Sequence, residues 1–151
     1  MPMLKEIAEL EGGRVLLTGD AKKLARIYLN AWVRRGKNLL VEYLPFQVDG
    51  EAYIGSPFEG GHFDAYLIMN PLSRPKGEKE RLYAWLKENG DKLVLLYEQK
   101  YIKDSITRYA IKEFIDYLIA YKRETVGFER IDVMKLDGGR VIAEKSYVRR
   151  Y

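Results

Sequence analysis

The chain has 151 residues, of which 47% are hydrophobic and 32% charged, and its formal net charge is +4. This length suffices for one domain with a buried core, and the composition argues against disorder. The absence of cysteine excludes disulfides, thiol nucleophiles and cysteine-based zinc sites, and a single histidine argues against a histidine-rich metal site.

We expect a single cytoplasmic domain over residues 1–151 that does not enter a membrane. No apolar run reaches the roughly 18 residues of a membrane span, and the first residues lack the basic-then-apolar pattern of a signal peptide. Abundant lysine, arginine and glutamate without cysteine is a composition typical of thermophilic proteins.

Strands and helices alternate in the first part of the chain. Short apolar runs predict strands buried on both faces, and apolar residues at helical spacing predict helices. Asp20 is a suitable N-cap for the second helix, and a short hairpin is predicted around Asp49-Gly50. The predicted elements are a helix over residues 2–11, a strand over 13–19, a helix over 20–35, and strands over 38–43 and 63–69.

The last third of the chain changes character. Asp137-Gly138-Gly139 between apolar segments is a strong hairpin signal, and a second turn is predicted at Val126-Gly127. The remaining predicted elements are a helix over 78–89, a strand over 92–97, a helix over 103–112 capped by Asp104 or Ser105, and β segments over 114–122, 128–136 and 140–148.

This order of elements predicts the fold class. Strands separated by helices indicate a parallel sheet with right-handed crossovers, and consecutive strands joined by tight turns indicate antiparallel pairing. We therefore expect an α/β fold with a mainly parallel central sheet. It divides into an N-terminal helix (2–11), a βα core (13–112) and a C-terminal antiparallel β extension (114–148).

Two segments carry a resemblance to a known family. The turn after the first strand reads TGDAKK at residues 18–23, and a buried strand reads FDAYLIM at residues 63–69. In their order along the chain they resemble the phosphate loop and the Walker B strand of RecA/KaiC-like P-loop ATPases, of the archaeal RadA-paralogue type. The resemblance implies a truncated three-layer RecA-like core that covers nearly the whole chain from residue 12.

The chain departs from that family where ATP would bind. In G-x-x-x-x-G-K-[ST], backbone N–H groups surround the phosphates and a lysine reaches them. TGDAKK is too short for this, and Asp20 at the predicted helix start would compete with phosphate for the N–H groups. Neither Lys22 nor Lys23 precedes a serine or threonine, and the Walker B aspartate position holds Met69 or Asn70, which are poor Mg²⁺ ligands.

These departures predict that the chain does not hydrolyse Mg-ATP. We expect no catalytic residue, no cofactor and no metal, although another chemistry at a remodelled site is left open. The resemblance implies a vestigial nucleotide-site region that comprises Thr18, Gly19, Asp20, Lys22, Lys23, Asn70, Glu98 and Gln99.

Three functions follow as hypotheses. The first is a non-catalytic RecA/KaiC-like protein that binds a protein partner or self-associates, for instance as a homodimer, with Tyr53, Phe58 and Trp85 as candidate surface aromatics. The second is nucleic-acid binding by a basic C-terminal end, and the third is binding or catalysis at a remodelled site where the strands end. The predicted nucleic-acid contacts are Arg140, Lys145, Arg149 and Arg150.

Overall fold

A computed structural model describes residues 13–125 and 127–150 of the chain. The helix predicted over residues 2–11 and Val126 of the predicted turn lie outside the described residues. The described elements are β1 (Gly13–Thr18), α1 (Lys22–Arg34), β2 (Leu39–Val41), β3 (Tyr53–Ile54), β4 (Ala65–Met69), α2 (Lys76–Glu88), β5 (Leu93–Glu98), β6 (Tyr117–Thr125), β7 (Phe128–Asp137) and β8 (Arg140–Arg150).

The eight strands form one mixed sheet in the order β3-β2-β4-β5-β1-β6-β7-β8. The pairs from β3 to β6 are parallel, whereas β6 to β8 form an antiparallel meander. The prediction of a mainly parallel α/β sheet with an antiparallel C-terminal extension is therefore confirmed.

Both faces of the central sheet are buried. Alternate side chains of a strand point to opposite faces. On one face Val15 and Leu17 of β1 pack in a cluster with Tyr28 and Trp32 of α1. On the other face Leu16 packs in a cluster that includes the α2 leucines and the isoleucines that follow β5. The continuous apolar runs that predicted buried strands reflect this double coverage.

The hairpin predicted around Asp49-Gly50 is wrong. The Asp49 N–H donates to Asn30 Oδ1 at 2.8 Å, and Arg34 pairs with the Asp49 carboxylate at 2.9 Å, so the loop is held on α1. The strand that follows, β3, pairs in parallel with β2 through only two residues. Side-chain contacts with a distant helix therefore override the local turn signal.

The helix predicted over residues 103–112 is also wrong. Two short 3₁₀ turns, Asp104–Arg108 and Ala110–Glu113, occupy the segment, and Tyr109 between them is extended. Neither turn has a side-chain cap. Ile106 and Ile111 are both buried. On one α-helix, residues five apart lie about 140° apart, so a continuous helix could not bury both on the same face.

The β extension begins later and continues further than predicted. Phe114 ends the second 3₁₀ turn and stacks on Tyr83, so the first strand of the extension begins at Tyr117 instead of residue 114. Gly138 and Gly139 both have positive φ, the conformation of the tight hairpin turn that the sequence predicted. The register of β7 and β8 shifts between Lys135 and Leu136, which marks a β-bulge.

An ion pair joins the extension to the parallel strands. Arg14 of β1 contacts the Asp116 carboxylate through its backbone N–H at 2.7 Å and its guanidinium at 3.1 Å. The Asp116 N–H in turn donates to the Arg14 carbonyl oxygen at 2.8 Å. These bonds place β6 beside β1 at the start of both strands.

Candidate functional site

The candidate site lies where β1 and β5 end. After β1 the chain continues through α1 on one face of the sheet, and after β5 it continues through the 3₁₀ turns on the other face. In open α/β sheets, ligands bind at such a switch point, outside the carboxyl ends of the strands. The predicted residues Thr18, Gly19, Asp20, Asn70, Glu98 and Gln99 all lie at this edge.

The turn after β1 is held tightly against the sheet. Gly19 has φ +102°, and a Cβ atom there would lie 2.2 Å from the Tyr121 carbonyl oxygen of β6. Its N–H donates to the Glu98 carbonyl oxygen at 3.1 Å. The loop therefore requires glycine for a close approach of two backbone segments, which leaves no cradle between β1, β5 and β6.

The N-cap prediction for Asp20 is wrong. Helix α1 begins at Lys22, the capping position is Ala21, and no side chain caps the helix. The Asp20 side chain is exposed. Because Gly19 turns the chain sharply, Asp20 lies one residue before the cap position, and it does not compete for the helix N–H groups in the way the sequence suggested.

A tyrosine hydroxyl, instead of the Asp20 carboxylate, accepts a hydrogen bond from a backbone N–H group at the start of α1. The Ala21 N–H donates to the hydroxyl oxygen of the buried Tyr97 at 3.0 Å and to the Gly19 carbonyl oxygen at 3.0 Å. Burial raises the pKa of Tyr97, the bond from Ala21 lowers it, and the Asp20 charge raises it. The phenol is therefore neutral at physiological pH, and it satisfies an N–H group at the start of α1.

Thr18 is buried and engaged. Its hydroxyl donates to the Ile102 carbonyl oxygen at 2.8 Å and accepts from the Ile102 N–H at 3.3 Å. This pair of bonds fixes the segment after β5 across the end of β1. The Thr18 side chain is thus part of the interior and is not available to a ligand.

Glu98 and Asn70 also serve the fold. The buried Glu98 carboxylate accepts from the Leu72 N–H at 2.9 Å and from the Ser73 hydroxyl at 3.4 Å. Asn70 has a left-handed backbone, and its side-chain oxygen accepts from the Gln99 N–H at 3.3 Å. These bonds hold the turn after β4 against the end of β5, whereas the Gln99 side chain itself is exposed.

Glu42, which follows β2, also uses its carboxylate to accept hydrogen bonds from the protein itself. Its carboxylate accepts from the Met69 N–H at 3.0 Å and pairs with Arg74, which also donates to the Met69 carbonyl oxygen. The acidic side chain that follows β2 is therefore an internal hydrogen-bond acceptor. No group of three or more histidine, aspartate or glutamate side chains is arranged to hold a metal within residues 13–125 and 127–150.

Two adjoining cavities remain beside the end of β1. One, of about 240 Å³, is lined by Lys22, Lys23 and residues of β6 to β8, and the other, of about 340 Å³, is lined by Gln99 and Tyr101 among others. Both share Asp20, Tyr121 and Arg123. Lys22 and Lys23 are exposed, so the structure brings them to the rim of a polar cleft.

The wall of this cleft contains an ion cluster that sequence reasoning missed. Glu129 of β7 is buried, and it accepts hydrogen bonds from the Tyr121 hydroxyl and from the guanidinium of Arg149. Burial and the bond to Glu129 raise the pKa of Tyr121, and Arg123 lowers it. The alternation of β7 could have indicated an inward Glu129, because Ile131 and Val133 share its parity.

The predicted nucleic-acid contacts do not form one patch. Arg149 is directed onto the buried Glu129, whereas Arg140, Lys145 and Arg150 are exposed. Arg140 lies at the opposite end of β8 from Arg150, which stacks over the Phe128 ring.

The three predicted surface aromatics differ in exposure. Tyr53 is 56% exposed. Trp85 is half-buried against the Tyr66 ring, and Phe58 is half-buried beneath the Arg81 guanidinium. Of the three side chains, Tyr53 is the most exposed.

Two further findings bear on function. No helix within the described ranges combines the length and the apolar character needed to cross a membrane. No protein-family model matches the chain, and the search of curated proteins finds no match. The geometry of the described residues therefore carries the functional argument.

Proposed function

We propose that this chain is a non-catalytic RecA/KaiC-like protein that acts as a binding or regulatory partner through protein–protein association. One observation carries the proposal. The buried polar side chains at the carboxyl edge of the parallel sheet bond to the chain itself. These are Thr18, Tyr97 and Glu98, and the half-buried Glu42 bonds to the chain in the same way.

This use of polar groups takes these side chains out of the usual ligand chemistry of such an edge. A nucleotide needs free N–H donors and cations that can reach its phosphates. Here a carboxylate, a phenol and a threonine hydroxyl bind neighbouring backbone groups, and Gly19 closes the turn against β6. The strands still end at a switch point, but the polar side chains there form hydrogen bonds within the protein.

The unpaired sheet edges support association. In the described part of the chain β3 and β8 are the terminal strands, and each has one edge without a strand partner. An unpaired edge is a template for another chain. Val141, Ile142 and Val148 of β8 are exposed apolar side chains on such an edge.

Calorimetric titration with ATP and ADP, with and without Mg²⁺, tests the non-catalytic part. We expect no heat up to millimolar nucleotide and no phosphate release. Micromolar binding or hydrolysis would overturn the proposal. Sedimentation equilibrium of the protein alone tests the association part independently of nucleotide.

The cleft beside β1 favours a second candidate, a small-ligand site remodelled around Asp20. Lys22, Lys23 and Arg123 line it together with Tyr121. Titration with inorganic phosphate and with a nucleoside monophosphate tests it. Binding that is lost in Lys22→Glu or Lys23→Glu, and retained in Arg26→Glu on an exposed position of the same helix, would favour this candidate over the first.

Nucleic-acid binding through β8 has its own test. Arg140, Lys145 and Arg150 are the exposed cations for it. Binding of a single-stranded oligonucleotide that falls steeply with salt would support it, and weak binding that is independent of salt would exclude it.

A further inference from the structure

The two terminal strands of the sheet differ in charge as well as in position. From Asn38 to Ser73 the sequence contains no lysine or arginine, although it contains acidic residues. This segment includes β2, β3 and β4 and forms one end of the sheet. The opposite end is β8, where basic residues outnumber the single acid, Glu144.

Internal ion pairs sharpen this contrast. At the β8 end, Glu144 pairs with Lys103 at 3.5 Å, whereas Arg140 and Lys145 have no ion pair among the described residues. At the β3 end, Arg34 neutralises Asp49, and Glu51 has no ion pair in the same described part. Glu51 at one end, and Arg140 and Lys145 at the other, are therefore charges of opposite sign that have no ion pair among the described residues.

A groove with six apolar residues among its nine described lining residues lies beside β3. It has a volume of about 870 Å³, and of the described lining residues Glu51 alone is charged. Ile54 at its rim is 67% exposed. We call it the β3 groove, and its apolar lining residues are Leu44, Pro45, Phe46, Val48, Ala52 and Ile54.

The start of β8 has the complementary chemistry. Val141 and Ile142 are exposed at the β-bulge and are flanked by Arg140 and Lys145. A bulge bends its strand and redirects a side chain away from the regular pleat. Residues 140–145, which we call the β8 start, therefore present two exposed apolar side chains, with Arg140 before them and Lys145 after the Lys103-paired Glu144.

The two surfaces of one molecule cannot meet. Seven inter-strand steps of about 4.8 Å separate β3 from β8, so the two ends of the sheet are roughly 34 Å apart. A contact between them joins two molecules. Because the surfaces differ, the contact is heterologous, and its repetition gives a ring or an open chain.

We propose that the β8 start of one copy of this chain docks in the β3 groove of the next copy. Val141 and Ile142 fill the apolar groove, and Arg140 and Lys145 approach Glu51. This inference rests on the proposed function, because it names a second copy of the chain as the partner and assigns both surfaces.

Mixing two disabled variants tests the assignment. Ile142→Glu disables the β8 start, and Glu51→Lys disables the β3 groove, and both positions are exposed, so folding is preserved. In sedimentation equilibrium we expect each variant alone to associate at least tenfold more weakly than the wild type. An equimolar mixture is expected to form a 1:1 dimer and nothing larger, because one intact groove meets one intact β8 start.

One control lies on the same strand as Ile142, and the other lies away from the β3 groove. Val148→Glu places the same charge at an exposed position near the other end of β8, and Glu88→Lys reverses an exposed acid on α2. Both are expected to associate as the wild type does. Raising NaCl from 0.05 to 1 M is expected to weaken wild-type association, since the facing charges are solvent-accessible.

Three outcomes would overturn the inference. Self-association of Glu51→Lys with wild-type strength, together with loss in Ile142→Glu, would indicate symmetric β8–β8 pairing. Association unchanged in both variants would indicate other surfaces. A wild-type monomer at all concentrations would exclude a second copy as partner, and nucleotide titration separately decides whether the proposed function also fails.

Discussion

The central parallel strands and β8 belong to one sheet but place their side chains in opposite environments. Every residue of β2, β4 and β5 is buried, whereas no residue of β8 is buried. The parallel strands have cover on both faces from α1, α2 and the 3₁₀ turns. Strand β8 continues the sheet beyond that cover.

Because of this difference, we expect the parallel half to determine the stability of the fold and β8 to contribute to recognition. Polar groups in the parallel half bond to neighbouring backbone, so their substitution removes internal hydrogen bonds. Charged and apolar groups on β8 mostly face solvent, so their substitution alters a surface. Substitutions of the buried polar groups in the parallel half should lower the free energy of unfolding without affecting association, and substitutions at exposed positions of the β8 start should do the reverse.

The largest effect is expected where the two halves touch. Gly19→Ala places a Cβ 2.2 Å from the Tyr121 carbonyl oxygen and forces alanine to φ +102°. Backbone strain and overpacking together are expected to lower the free energy of unfolding by about 3–5 kcal/mol. Denaturant titration measures this value.

Gly36→Ala is the matched control. Gly36 also has positive φ, but a Cβ there would meet no atom within 4 Å. We expect a loss of about 1 kcal/mol, because only the backbone preference changes. Equal losses at both positions would contradict a close approach of β1 and β6.

Arg149 is the expected exception on β8. Arg149→Ala leaves the buried Glu129 without its guanidinium partner, which is expected to cost about 3 kcal/mol. Arg150→Ala, one residue further along the strand, is expected to cost less than about 0.5 kcal/mol because its side chain lies on the surface.

A second substitution shows whether the stability lost in Arg149→Ala comes from the unpaired Glu129 carboxylate or from other contacts of Arg149. Glu129→Gln in the Arg149→Ala background removes the unpaired charge, and it is expected to recover part of the lost stability. No recovery would mean that Arg149 stabilises β8 through its other contacts instead of through Glu129.

Glu98 tests the parallel half directly. Glu98→Ala leaves the buried Leu72 N–H without an acceptor, so we expect a loss of about 2 kcal/mol. Glu98→Gln keeps an acceptor oxygen and should lose less, and Gln99→Ala at the exposed neighbour should be nearly neutral. Sedimentation of all three variants should match the wild type, and weaker association of Glu98→Ala in its folded state would contradict the separation of roles.

The sequence predicts the central strands well for a physical reason. Val15-Leu16-Leu17 and Ala65–Met69 are continuous apolar runs, and such runs are typical where both faces of a strand are covered. The double glycine at 138–139 predicts the hairpin turn for a similar reason, because both residues of that turn have positive φ. Local chemistry alone determines these elements.

The remaining features depend on contacts between distant residues. The parallel pairing of β3 with β2 follows from a loop that Asn30 and Arg34 hold on α1. Similarly, the sequence identifies Glu98 as a polar residue at a strand end, but its bond to Leu72 appears only when β4 and β5 are adjacent. The candidate site was therefore predictable in position, whereas its occupation by internal hydrogen bonds was not.

The smallest effects are expected from one substitution made at two buried tyrosines. The Tyr97 hydroxyl accepts from the Ala21 N–H, so Tyr97→Phe is expected to lose about 1 kcal/mol. The Tyr28 hydroxyl is buried with no hydrogen-bond partner among the described residues, so Tyr28→Phe is expected to be neutral or stabilising by up to about 1 kcal/mol.

The free energy of unfolding at alkaline pH gives a second test of these two tyrosines. Burial raises the pKa of both above the unfolded value of about 10. The stabilisation that results is complete below pH 10 and is lost as the pH rises toward the folded-state pKa values, because the unfolded chain then releases protons that the folded chain retains. Denaturant titrations at pH 7 and pH 10.5 should show that each phenylalanine variant loses less stability with pH than the wild type.

A Tyr28→Phe variant that is less stable than Tyr97→Phe at pH 7 would mean that the Tyr28 hydroxyl has a partner, and that the interior of the parallel half satisfies its polar groups more completely than the described bonds indicate.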